Sequence, residues 1–113
     1  MNLERKGKAL VILVGDADKI HGKSAYAYIV EKAKEFGMAG ATVTHGQMGF
    51  GGNSRIHTAS ILRLSEDLPV KVEIYDNPER VDAFLASIHD DLTDGIVVTW
   101  EVEVERYSHK GNT

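Results

Sequence analysis

The chain has 113 residues, 42% of them hydrophobic, with a formal charge of −4 and no cysteine. This size suits one globular domain over residues 1–113, with its core at about 8–107 and a polar tail at 108–113. The acidic balance argues against a nucleic-acid partner, and the lack of cysteine excludes disulfides, thiolate metal sites and a cysteine nucleophile.

The first residues do not form the apolar segment of a signal peptide. The longest apolar run, residues 9–14, is too short to span a bilayer. We therefore expect a cytoplasmic protein that is not embedded in a membrane.

The first half of the chain predicts a strand, a helix and a second strand. Residues 9–14 are continuously apolar, which is typical of a strand buried on both faces, and residues 15–22 predict a loop. The helix is expected to begin near Ser24 and to end at Gly37, because apolar residues between them recur at intervals of three and four. Residues 40–48 predict the second strand.

The second half predicts the returning arm of a hairpin, two more strands and another helix. Residues 60–64 are interpreted as the returning arm of a hairpin, and residues 70–75 alternate as a half-buried strand does. Asn77 followed by Pro78 is typical of a helix start. Residues 96–105 alternate again, and this alternation places Trp100 on the apolar face, where we expect it in the core.

The order β-α-β-β-α-β predicts a ferredoxin-like α+β fold, an antiparallel four-stranded sheet with two helices on one face. The other face of such a sheet has no helix to cover it. In a small protein the simplest remedy is self-association, so we expect an oligomer.

The segment 46–55 is the strongest candidate for a ligand site. Four glycines fall within the seven positions from Gly46 to Gly52, directly before Arg55 and His57. Glycine backbone can approach a ligand closely, and its N–H groups can bind an anion. A plain hairpin tip with glycine bulges is the alternative reading of the same pattern.

A second candidate is Lys23, which opens the first helix in the string Gly22-Lys23-Ser24. Six residues separate Gly15 from Gly22, whereas a P-loop has four between its glycines. Asp16 and Asp18 would also repel phosphate, so a nucleoside triphosphatase is excluded. Lys23 at the helix N-terminus is still suited to meet an anion.

The five histidines do not have the spacing of metal ligands, so no metal site is assigned. His45 and His57 flank the glycine segment and are the one pair that could face each other across the hairpin. Glu101, Glu103 and Glu105 have the period of a solvated strand face. These carboxylates could also pair with basic residues of a neighbouring subunit.

The chain resembles the family called domain of unknown function 190 over about residues 8–107. The resemblance is carried by His21-Gly22-Lys23, by 40–43, by Gly46 with Gly49-Phe50-Gly51, by His57-Thr58, by 64–70, by 73–74 and by Tyr107. In this pattern His45 stands where arginine is expected.

This resemblance implies the PII-like architecture, a trimer with adenine nucleotides bound in clefts between subunits. The connection between the second and third strands is then the long loop that selects protein partners, and residues 46–57 occupy its position. The acidic segment 90–95 replaces the glycine- and lysine-rich phosphate loop of PII proteins, which implies weak binding of ATP.

We therefore expect a non-catalytic signalling homotrimer that binds a small anion, with AMP or ADP as the specific candidates. No nucleophile or acid–base pair points to an enzyme. The alternative is a divalent-metal-binding trimer resembling the cation-tolerance proteins. The unknown protein partner would bind through the 46–57 loop. The expected ligand-binding residues are Gly46, Gln47, Gly49, Phe50, Gly51, Arg55, His57 and Lys23.

Overall fold

The computed structural model describes residues 5–46, 48–49, 57–58 and 68–108. In chain order the elements are β1 (Lys6–Gly15), β2 (Lys19–Ile20), β3 (Lys23–Ser24), α1 (Ala25–Phe36), β4 (Thr42–His45), β5 (Met48–Gly49), β6 (His57–Thr58), β7 (Pro69–Asp76), α2 (Pro78–Ile88), a 3₁₀ turn (His89–Asp91) and β8 (Ile96–Glu103). No helix in the described part of the chain is long and apolar enough to cross a membrane.

Four strands form one sheet in the order β4-β7-β1-β8, and every pairing is antiparallel. The continuously apolar strand β1 lies at the centre, between β7 and β8. Leu10, for example, has Ile74 on one side and Thr99 on the other. The predicted α+β fold, with four antiparallel strands and two helices, is confirmed.

Both helices cover the same face of the sheet, since residues of α1 and α2 share one core cluster with alternate residues of β1 and β7. Phe84 of α2 and Ile29 of α1 are fully buried in this cluster. Their sheet partners follow the two-residue period of a strand. These are Leu10, Ile12, Val14, Val70, Val72 and Ile74.

The opposite face has no helix, and we call it the open face. The strand registers place Tyr75, Val98 and Trp100 there, beside Ala9 and Val11 of β1. Trp100 keeps 44% of its surface exposed, so the prediction that it is a core residue is wrong for the single chain. Three more large side chains are exposed on this face, namely Tyr75, Ile96 and Val98.

The end of α1 is fixed by side chains from β7 and α2. Gly37 ends the helix with φ of +83°, as the sequence predicts. Arg80 donates to the Gly37 carbonyl at 2.6 Å and stacks over the ring of Phe36. The buried Asp76 carboxylate accepts the N–H groups of Ala39 and Asn77 at 2.9 and 2.7 Å. The two helices are thereby joined at one end.

Three boundaries differ from those predicted. The expected loop at 15–22 includes strand β2 and the turn of the short β2–β3 hairpin at His21 and Gly22, both with positive φ. The expected strand 40–48 is divided into β4 and β5, and the last strand ends at Glu103. Strand β4 pairs with β7, while the expected returning arm at 60–64 lies outside the described residues.

Candidate functional site

The base of the connection between β4 and β7 is held by backbone hydrogen bonds from two different elements. The N–H of Gly46 donates to the Pro69 carbonyl at 2.7 Å. The N–H of Asp16, in the turn after β1, donates to the Leu68 carbonyl at 2.9 Å. The chain therefore leaves the sheet at Gly46 and re-enters it at Leu68 at neighbouring points.

His45 is the last residue of β4 and lies on the helix-covered side, because its cross-strand partner is the buried Val70. Its Nε2 atom is 3.0 Å from Oδ1 of Asp16, and the edge of its ring meets Tyr26 of α1 at 5.2 Å between centroids. Sequence reasoning did not pair His45 with Asp16. His57 has Gly49 as its strand partner, so the two histidines are not opposite each other.

Position 46 requires glycine, because its backbone lies very close to Pro69. A Cβ atom at this position would lie 2.8 Å from Cγ of Pro69 and 3.4 Å from its carbonyl oxygen. Because the N–H of Gly46 is already donated to that carbonyl, Gly46 contributes room at this site, and its N–H is not available to an anion.

The other predicted residues of the glycine segment are described in part or not at all. The backbones of Gly49 and His57 pair with each other in the short ladder β5–β6. Gln47, Phe50, Gly51 and Arg55 lie outside the described residues.

Lys23 lies in β3, two residues before α1 begins at Ala25. Its Nζ atom is 2.6 Å from Oε1 of Glu31, and this hydrogen bond together with the charge of Glu31 raises the pKa of Lys23. The ammonium group is therefore already paired within the chain. An anionic ligand would have to compete with Glu31 for it.

A second histidine–carboxylate cluster joins the β2–β3 hairpin to the 3₁₀ turn after α2. Asp91 accepts a hydrogen bond from the Tyr28 hydroxyl at 2.6 Å, and its other oxygen is 3.1 Å from Nε2 of His21. These bonds, Tyr28 first and His21 second, lower the pKa of Asp91. The same carboxylate raises the pKa of Tyr28.

The sequence carries little sign of this cluster. His21-Gly22 marks a turn, and the left-handed φ of +51° at His21 is uncommon for a residue other than glycine. Nothing in the local pattern shows that Asp91 lies beside it. One carboxylate of the acidic segment 90–95 thus already accepts hydrogen bonds within the chain.

The glutamate row of β8 is paired within the chain. Nε of Arg5 lies 3.1 Å from Oε2 of Glu103, and Nη2 of Arg5 lies 3.0 Å from Oε2 of Glu105. Nζ of Lys6 lies 3.9 Å from Oε2 of Glu101. An open groove of about 410 Å³ is lined by Arg5, Lys6, Glu101, Val102 and Glu103. The charged side chains of these pairs are well exposed, and exposed pairs of this kind contribute about 0–1 kcal/mol. They form a solvated face.

Within the described residues, no three histidine, aspartate or glutamate side chains come together in a way that could hold a metal ion. His45 and Asp16 supply two groups, and of His57 the structure describes the backbone alone.

Comparison with known families settles which family the fold represents. Residues 7–104 match the model of DUF190, a family described as an uncharacterized ACR. The chain belongs to the DUF190 family. This DUF190 chain is 36% identical over 99 residues to a UPF0166 protein of Aquifex aeolicus, covering 88% of this chain and 93% of the relative.

Solved structures place this DUF190 protein in the PII-like fold. CPII of Thiomonas intermedia, a nitrogen regulatory PII-like protein, was solved bound to ADP, AMP and bicarbonate. It matches with a TM-score of 0.67 at 18% identity, over 93% of this chain and 92% of that one. The divalent ion tolerance protein CutA1 of Ehrlichia chaffeensis matches with a TM-score of 0.55 at 11% identity, over 92% and 86% of the two chains. The expected PII-like resemblance is confirmed at the level of the fold.

Proposed function

We propose that this chain is a non-catalytic PII-like signalling protein that binds AMP or ADP in clefts between the subunits of a homotrimer. The observation that carries the proposal is the likeness of the whole fold to CPII, whose structure holds ADP and AMP. The family itself is described as uncharacterized, so the ligand is inferred from the fold and from the residues of this chain.

The open face supports the homotrimer. Tyr75, Ile96, Val98 and Trp100 place four large exposed side chains on one side of a four-stranded sheet. Such a patch marks an interaction surface in a small protein. A further copy of the same chain would bury it. Light scattering of the purified full chain on a size-exclusion column is expected to give three times the mass of one chain, and a monomer would contradict the trimer.

The ligand site is proposed at the base of the 46–57 loop, with Gly46 providing room and Gln47, Gly49, Phe50, Gly51, Arg55 and His57 providing contacts. Lys23 would join it by exchanging Glu31 for the ligand. Asp90 and Asp94 belong to the acidic segment that replaces a glycine- and lysine-rich phosphate loop. They favour AMP or ADP over ATP, because repulsion from carboxylates grows with each added phosphate charge.

The signalling step follows from the position of this loop between two strands. Ligand binding would change the surface that residues 46–57 present to a protein partner, as in other switches that act through one segment. The partner is recognised through the loop, and no catalytic group is needed for this role.

Calorimetry with AMP, ADP and ATP tests the ligand. We expect AMP and ADP to bind and ATP to bind more weakly. Arg55→Ala should lower the affinity about tenfold or more, because a hydrogen bond to a charged group is lost. Lys34→Ala removes one positive charge from an exposed position on α1 and should leave the affinity unchanged. The absence of binding by all three nucleotides at millimolar concentration would overturn the nucleotide proposal.

The likeness to CutA1 favours one alternative, a trimer that binds a divalent metal. His45 and His57 are its candidate ligands. Elemental analysis of protein purified without chelator would show a stoichiometric metal under this alternative, and its loss in His57→Ala would support it. Protein free of metal that binds AMP would exclude it.

A further inference from the structure

Asp16 contacts both ends of the connection between β4 and β7. Its backbone N–H donates to the carbonyl of Leu68 at 2.9 Å, where the chain re-enters the sheet. Its carboxylate lies 3.0 Å from Nε2 of His45, where the chain leaves the sheet. One residue of a different turn therefore holds both ends, and we call this set of contacts the loop-base clasp.

The clasp is completed by the hydrogen bond from the Gly46 N–H to the Pro69 carbonyl at 2.7 Å. Gly46 lies so close to Pro69 that a Cβ atom on residue 46 would be 2.8 Å from Cγ of that ring. The position of Gly46 is therefore fixed from one side by Pro69 and, through the neighbouring His45, from the other side by Asp16.

Asp16 is itself held by its own turn, so it can act as an anchor. The Asp18 carboxylate accepts the Gly15 N–H at 2.8 Å, and the Asp18 N–H donates to the Gly15 carbonyl at 3.1 Å. The carbonyl of Asp18 accepts the first N–H of α1, that of Ala25, at 2.8 Å. The turn is thus rigidly tied to β1 and α1.

We propose that Asp16 is a positioning residue for the ligand site. Through the loop-base clasp, Asp16 sets the separation between the two ends of the connection from β4 to β7. It does not touch the ligand. The proposal rests on the proposed nucleotide function for its effect on affinity, while the clasp can be measured without any nucleotide.

Hydrogen exchange of the ligand-free full chain tests the clasp directly. In Asp16→Ala the backbone N–H of residue 16 remains, but the carboxylate that holds His45 is lost. We expect the protection of the amides of Gly46 and of residue 16 to fall about two- to fivefold, which corresponds to the loss of one partly exposed hydrogen bond. The amide of Val72, in the covered core, should keep its protection. Unchanged protection at Gly46 would overturn the proposal.

The pair can be isolated by a double-mutant cycle. His45→Ala and Asp16→Ala should each lower AMP affinity about two- to fivefold, and the double variant should lose no more than either single one. His45→Arg keeps a donor for Asp16 and should restore the protection of Gly46. Additive losses, or an arginine variant as poor as the alanine variant, would show that Asp16 does not act through His45.

The matched control is Asp82→Ala, which removes an exposed carboxylate from the ion pair with Lys8 at 2.7 Å on the other helix. It should alter neither the protection of Gly46 nor AMP affinity. If Asp82→Ala lowered the protection of Gly46 and the AMP affinity equally, the change in net charge would explain the losses. That outcome would overturn the positioning role of Asp16.

The two proposals fail in different ways. Wild-type protein that binds neither AMP nor ADP, while Asp16→Ala still lowers the protection of Gly46, would overturn the nucleotide function and leave the clasp in place. Equal AMP affinity in wild type and Asp16→Ala would overturn the positioning role and leave the nucleotide function in place.

Discussion

The two faces of the sheet differ in how far their large apolar side chains are buried. On the covered face, β-branched and leucine side chains of β1 and β7 are buried under two helices. On the open face, Tyr75, Val98 and Trp100 are 39–44% exposed, although they alternate along their strands just as regularly. Alternating apolar residues therefore indicate that one face of a strand is to be buried. They do not indicate whether the same chain supplies the partner that buries it.

The largest expected effect comes from breaking the covered face. Phe84→Ala should lower the free energy of unfolding by about 3–5 kcal/mol, because a fully buried ring leaves a cavity. Phe36, whose ring meets that of Phe84 at 5.6 Å, is partly exposed and provides the matched control. Urea denaturation should show a clearly smaller loss for Phe36→Ala. Equal losses would mean that the covered face is not the main core.

Breaking the open face should change assembly more than the fold of the subunit. Trp100→Glu places a charge in the proposed interface, so we expect the mass measured by light scattering to fall from that of a trimer to that of a monomer. Thr99→Glu introduces the same charge on the same strand, facing the other side. It should remain a trimer. A trimeric Trp100→Glu variant would remove the open face from the interface.

A smaller loss of stability is expected at Gly46, which directly follows the edge strand β4. Gly46→Ala should lower the free energy of unfolding by about 1–3 kcal/mol, because the added methyl group is too close to Pro69. Gly40→Ala is the matched control, since nothing lies within 4 Å of a Cβ atom there. Its thermal unfolding should match wild type or be slightly higher. Similar losses for both variants would argue against the close approach at Gly46.

The smallest effect concerns the polar cluster of Asp91, Tyr28 and His21. The pKa of Asp91 is lowered in the fold, so its contribution to stability is present above the ordinary carboxyl range and is lost as pH falls through the lowered pKa. Tyr28→Phe removes the largest cause of that shift. We expect its melting temperature to be below that of wild type at pH 7, with the difference shrinking in acid. A difference independent of acid pH would contradict the assignment.

Much of the fold could be predicted because its signals are local. The apolar run of β1, the turn at Asn77-Pro78 and the end of α1 at Gly37 each need only neighbouring residues to be recognised. The exposure of Trp100 could not be predicted in this way, because alternation does not show whether this chain supplies a cover.

The candidate site was predicted less completely, since its contacts join distant parts of the sequence. His45 and Asp16 are 29 residues apart, and His21 and Asp91 are 70 apart. The glycine segment predicts a ligand site in this part of the chain, yet only the structure shows that the N–H of Gly46 is already donated to Pro69. The hydrogen bond between Lys23 and Glu31 could not be predicted either, because the two residues are 8 positions apart in the sequence.

The central place of β1 has a consequence for how the protein is made. This strand is synthesised first among the elements, but one of its two neighbours, β8, is the last to be synthesised. Until Glu103 has left the ribosome, one edge of the most hydrophobic strand has no partner and is open to pairing with another nascent chain. The sheet can therefore be completed only after nearly the whole domain has emerged.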